Sequence, residues 1–258
     1  MEVEVSVAVL SAGVAVVCAL VSAIATHRTT VARLELQQQA QERTKREDAE
    51  ELFGHYREPL LWSAQALQSR VYNGISRGFL TRYLRSKDDE EQQYARDNTV
   101  FVLAEYLGWL EIIRRDQRFW NRRHLENVNR LFDAVAQTTH ILATDAVTGP
   151  LRLFRGQQRA IGELMLVRNE SPQGGGFVVM GYAAFCSRLE DDHHFAKWFD
   201  RLRKEVDVIE SAGSDGNDRL IRLQESLLDL IELLSPDGVP LTITQQKRLP
   251  ARREPLPG

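Results

Sequence analysis

The residues whose types and spacing best suit chemistry lie between Leu151 and Arg168, in the run LRLFRGQQRAIGELMLVR. Arg155, Arg159 and Glu163 recur every four residues, which places them on one face of a helix. With Arg152 they would form an anion-binding or recognition patch, Glu163 orienting one guanidinium. The same spacing also describes an ordinary surface helix, with Arg–Glu pairs outside and Leu153, Ile161, Leu164 and Met165 facing a core. That plainer reading is the favoured one.

Asp191-Asp192-His193-His194 is the one metal-like cluster in the chain. Asp191 or Glu190 shares a helix face with His194, so either pair supplies two ligands. Metal centres use three or four ligands, and acids here equally suit a helix start, so no metal is expected. Arg114, Arg115, Arg118, Arg122 and Arg123 flank Phe119 and Trp120, a composition suited to anionic headgroups or RNA. Glu111, Asp116 and Glu126 dilute that charge, which favours a solvated helix end. Asn169-Glu170-Ser171 matches a glycosylation sequon, and Gly174-Gly175-Gly176 lacks the Lys-Ser/Thr of a phosphate loop. No nucleophile pairs with a base by spacing, so no catalytic residue is assigned and no cofactor is expected.

The elements that must position these residues are helices. Leu60, Leu61, Ala64, Leu67, Gln68 and Val71 predict a helix over 52–73, with Pro59 in its first turn. A short helix over 79–85 follows Gly74 and Gly78. Ser86-Lys87-Asp88-Asp89-Glu90-Glu91 supplies a cap candidate and N-terminal acids for a long helix whose buried face carries Val100, Leu103, Ala104, Leu107, Leu110 and Ile113. Gly108 sits in that face and should admit close helix contact. Further helices are expected over 122–143, 154–167, 191–210 and 218–234. Phe177 to Phe185 reads two ways, Phe-Val-Val-Met favouring strand and Tyr-Ala-Ala-Phe helix, and a single helix over 178–189 is preferred. Trp62, Tyr72, Tyr106, Trp109, Trp198 and Phe199 are expected in the core. Nothing alternates strand with helix, which excludes an α/β nucleotide fold.

Ahead of this domain, Val5 to Thr26 contains no charged residue and is long enough to cross a bilayer as a helix. The start is acidic, Met1-Glu2-Val3-Glu4, which argues for an uncleaved anchor over a signal peptide. Positive charge follows the span at Arg28, Arg33, Arg43, Lys45 and Arg46, placing the N-terminus outside and the domain in the cytoplasm. Ser11, Ala15, Ala19 and Ala23 form a small-residue stripe suited to self-association. Residues 28–51 read as a solvated helical stalk rather than a coiled coil, since no heptad is sustained.

A net charge of −3 gives no general attraction to nucleic acid, and no nucleic-acid partner is expected. Cys186 is the one cysteine beyond the span, which suits a reducing compartment. Five of the eight prolines fall in the last 23 residues, so 236–258 reads as a disordered Pro/Arg-rich tail.

The runs HYREPLLWSAQALQSRVYN, VFVLAEYLGWLEIIRRD and LFRGQQRAIGELM, followed by MGYAAF, resemble an uncharacterised actinobacterial family of N-terminally membrane-anchored helical proteins. The resemblance implies one domain over 52–234 and a bacterial plasma membrane, with no assigned activity. The expected fold is all-α: an anchor at 1–27, a stalk at 28–51, a cytosolic multi-helix bundle at 52–235 and the tail. The expected function is an interaction or scaffold protein on the lipid bilayer, a homodimer or a partner to another protein. The alternative is a membrane-bound enzyme or an anion or ligand sensor with a pocket near Arg155, Arg159 and Glu163.

Overall fold

The computed structural model describes residues 54–116, 126–169, 176–211, 216–235 and 248–249, with scattered positions between 27 and 47. The expected span and its stripe Ser11, Ala15, Ala19 and Ala23 lie outside the described residues, as do Arg118, Phe119, Trp120, Arg122 and Arg123. Among the described residues, no helix is long and apolar enough to cross a membrane. The chain separates into two units, 1–51 and 52–258. In the first, the described residues between 27 and 47 are helical and exposed, and Arg43 pairs with Glu47 one turn on at 3.0 Å.

The described residues of the second unit are all-α apart from one short hairpin. Helix α1 covers 54–76 and buries Leu60, Leu61, Ala64, Leu67, Val71 and Tyr72. Pro59 sits past the first turn, where it lacks the N–H that would bond the His55 carbonyl. Gly78, in the left-handed region at φ 64°, turns the chain into α2 (Phe79–Leu84).

The central element is α3 (Asp89–Arg115). Its N-cap Asp88 accepts a bond from the Glu90 N–H, three acids fill its first turn and Arg114 and Arg115 its last. Each charge therefore opposes the nearby pole of the helix dipole. Val100, Leu103, Ala104, Tyr106, Leu107, Ile112 and Ile113 bury the face the periodicity marked. Around α3 pack α2, α5 (Arg155–Leu164), α6 (Tyr182–Asp191) and α8 (Asp200–Ser211), while α4 (Glu126–Ala143) packs with α9 (Asp218–Leu234). The Tyr106 hydroxyl, wholly buried, shares a 2.7 Å bond with the Thr138 hydroxyl and so links α3 to α4.

Two stretches depart from the expected helices. The segment expected as a helix from Phe154 ends at Leu164, and Leu166–Arg168 (β1) instead pairs antiparallel with Phe177–Val179 (β2). Leu166 faces Val179, Val167 faces Val178 and Arg168 faces Phe177. The expected helix over 178–189 is thereby shortened to α6. The β-branched valines suit either state in isolation, and pairing with the neighbouring strand decides for β. Gly108 lies against this hairpin, because a Cβ there would meet Met165 and Val179 at 3.1 Å. The close helix contact belongs instead to Gly162 on α5.

The expected helix over 191–210 is also interrupted. Asp192 is extended and accepts the Phe195 N–H, capping a one-turn helix α7 (His193–Ala196). The turn after it closes with Trp198 and Phe199 donating to Phe195 and Ala196. This break lets Phe195 and Phe199 both reach Phe185, with ring centroids 5.6 and 5.0 Å away. Phe185 meets both rings edge-to-face, while Phe195 and Phe199 are tilted against each other at 47°, arrangements that add to the burial of the three rings. Tyr72, Tyr106 and Phe199 are buried as expected, and Trp109 is partly buried. Trp62 and Trp198 are not core residues, being 63% and 45% exposed.

Candidate functional site

The α3–α5 crossing gathers most of the charged residues that could act together. Gly162 makes it possible: a Cβ there would lie 2.6 Å from the Leu107 carbonyl oxygen. With only hydrogen at that position, the α5 backbone rests on α3 near Glu111. The crossing brings Glu163 to 3.3 Å from the Arg115 guanidinium. Arg159 reaches the same Glu163 carboxylate at 3.8 Å. Arg115 also binds Glu111 at 2.6 Å, and Arg114 binds Glu111 through Nε at 2.7 Å.

The result is an alternating ladder Arg114–Glu111–Arg115–Glu163–Arg159. Glu111 within it is dry, its side chain 2% exposed, while the guanidiniums on either side are partly exposed and the Glu163–Arg159 end is wet. Burial pushes the Glu111 carboxyl up, but the bonds from Arg114 and Arg115 outweigh it and hold the group below its ordinary value. The Glu111 bond in turn raises Arg114. Arg115 also lies 5.7 Å from the centre of the half-exposed Phe177 ring.

The predicted patch is therefore divided. Arg159 and Glu163 meet, joined by Arg115, which spacing did not connect to them. Arg155 is exposed at the first position of α5. Arg152 turns away: it pairs with Asp145, stacks over Phe154 at 4.8 Å, and its carbonyl accepts from Arg201. An anion approaching the ladder meets guanidiniums already bound to carboxylates, so it must compete with Glu163 for Arg115 and Arg159.

Asp192 of the metal-like cluster is committed to its cap and to Arg188 at 3.1 Å. The Phe195 N–H, followed by Arg188, keeps its carboxyl below the ordinary value. His193 and His194 are exposed, and among the described residues no group of three or more potential ligands converges.

Three buried charged residues escaped the spacing argument. Asp97, 2% exposed, pairs with Arg203 Nε at 2.7 Å, and burial raises its carboxyl despite that partner. Nearby Tyr182 and Cys186 are both raised, first by burial, so the thiol is not an activated nucleophile. Arg219, 2% exposed, donates to the carbonyls of Ile141, Thr144, Val147 and Gly149. It thereby closes the C-terminal end of α4 and the loop behind it. The signal was present: Asp97 and Glu111 share the stripe of Val100, Ala104 and Leu107, and Arg219 shares that of Leu223 and Leu230. A charge on an apolar stripe implies a buried partner.

A pocket lined by Leu67, Val71, Leu80, Thr99, Leu151, Ile209 and Leu220 has a volume near 10 Å³, the space of about one water molecule. The chain matches no protein-family model, no curated protein and no solved structure.

Proposed function

We propose that this chain is a single-pass membrane-anchored protein whose helical domain is a cytosolic interaction module. It tethers or scaffolds another protein, or a second copy of itself, at the plasma membrane without a catalytic step of its own. One observation carries the reading: Val5 to Thr26 is uncharged across a bilayer's length, with positive charge following it and none preceding it. The exposed Trp62 and Trp198 support the interaction role, because Trp is the residue type most enriched among the anchors of protein interfaces. Engagement of Arg114, Arg115 and Arg159 with carboxylates supports a structural use of the ladder.

Alkaline carbonate extraction of membranes, with protease treatment of intact spheroplasts, tests this. The chain should stay with the membrane at high pH, and its domain should survive protease added outside. Release at high pH, or digestion from outside, would defeat the reading.

A ligand-sensor alternative is favoured by Arg155 and Arg159, exposed one turn apart on α5. Calorimetric titration with inorganic phosphate decides it. Saturable binding lost in Arg159→Ala supports a sensor, and absence of binding removes it.

A further inference from the structure

The tail returns to the bundle. Leu249 is 3% exposed and belongs to the hydrophobic core, although it lies well beyond the last helix. Its backbone N–H donates to Gln224 Oε1 at 3.2 Å, and the Gln224 side chain is itself fully buried. Beside it, Arg248 pairs with Asp229 at 2.6 Å, with both side chains more than half exposed. Glu225 and Glu232 add to the negative field at Arg248. Thus α9, otherwise almost all buried, shows solvent a narrow strip of Arg222, Glu225, Asp229 and Glu232 that is mainly acidic. Pro250 follows Leu249 and restricts it to extended backbone, the conformation that presents an N–H sideways to a neighbouring acceptor.

The number of residues joining α9 to Arg248 exceeds what the reach requires. Asp229 lies about 7.5 Å back along the axis from Leu234, the end of α9, at helical rise. Residues 236–247, which join the two, can span roughly 40 Å when extended. A link of that excess length does not force the contact. It raises the local concentration of the tail and leaves the contact free to open. Among the described residues, the contact is made by one leucine, one backbone hydrogen bond and one exposed ion pair.

We propose that the α9 strip is a docking groove for a peptide carrying a basic residue followed by leucine, and that the chain's own Arg248-Leu249 occupies it in cis as a releasable latch. Asp229 reads the basic residue, Gln224 reads the backbone, and the apolar floor takes the leucine. Opening the latch exposes the groove to a competing segment of the same chemistry. This inference stands apart from the anchoring proposal and does not need it.

The test uses the full-length chain and a fluorescein-labelled peptide of residues 243–254, read by anisotropy. The wild-type chain should bind the peptide at least tenfold more weakly than the Leu249→Asp variant, whose own tail cannot seat. Adding Asp229→Lys to that variant should return binding to the weak level. Equal binding to wild type and Leu249→Asp, when both keep their helical circular dichroism, overturns the latch. Should Leu249→Asp unfold, a protease site placed within 236–247 gives a second route. After cleavage, exchange of the tail for labelled peptide supports the proposal. A cut tail that stays bound through excess peptide makes Leu249 a permanent part of the core and overturns it.

Discussion

Gly162 lies against Leu107 so closely that a Cβ would stand 2.6 Å from the Leu107 carbonyl oxygen and 3.0 Å from the Glu111 Cβ. The obstacle is backbone, which has nowhere to move without shifting a helix. Gly162→Ala should therefore destabilise the domain by about 1–3 kcal/mol, read by urea unfolding. Gly156, six residues earlier in the same helix, has nothing within 4 Å of its added Cβ. Gly156→Ala should stabilise by roughly 0.5–1 kcal/mol through helix propensity. If the two substitutions act alike, the α3–α5 crossing is not as described.

Arg219 should be among the costliest single side chains to lose. Its guanidinium serves four carbonyls, and burial lowers its pKa without displacing its charge from any ordinary pH range. Arg219→Met fills similar space and leaves those carbonyls without that donor, at a cost of about 3 kcal/mol or more. Arg219→Lys should recover only part, because an ammonium lacks the planar fork. Hydrogen exchange at the C-terminal turn of α4 should accelerate in both.

The two buried acids of α3 should respond to pH in opposite directions. Glu111 is held below its ordinary value in the folded chain, so its contribution is present above the unfolded pKa, near 4.5. That contribution is lost as pH falls from there through the depressed folded value. Glu111→Gln should cost about 2 kcal/mol at neutral pH and flatten the acid limb of the stability curve. Asp97 is raised above 3.8, so ionising it opposes folding as pH rises from there through the raised value. Asp97→Asn should therefore remove that opposing slope. Denaturant midpoints measured from pH 3 to 7 check both signs.

Arg159 at the wet end of the ladder should matter little to folding. Its pair with Glu163 is 3.8 Å long, with a 57% exposed guanidinium side chain. Arg159→Ala should shift stability by no more than about 0.5 kcal/mol. A much larger loss would mean that the ladder is cooperative from end to end.

Trp62→Ser should leave the melting temperature nearly unchanged, since the indole is 63% exposed. A surface substitution of this kind stays within about 0.5 kcal/mol. Size-exclusion light scattering or co-purification in the full chain should instead register weaker association. If association survives both Trp62→Ser and Trp198→Ser, the interface lies elsewhere.

Periodicity alone was enough to define the helical class and the faces of α1, α3 and α9, because 3.6-residue spacing is a local property that each segment carries by itself. The bounds 218–234 and the acid-capped start of α3 were legible for that reason. The pairing of Arg159 with Glu163 was legible too, being one turn apart on one helix. Three features were not. Val178 and Val179 became strand only because Leu166 and Val167 lay beside them, and a short apolar run holds no record of its neighbour. Arg115 entered the ladder only because Gly162 let α5 rest on α3 at Leu107, 55 residues away in sequence. Leu249 entered the core from a stretch whose proline content reads as disorder, because burial is settled by what faces a side chain. Local spacing determines which face of an element is apolar. Which faces meet, and which charges they trap between them, is decided only when distant segments compete for the same space.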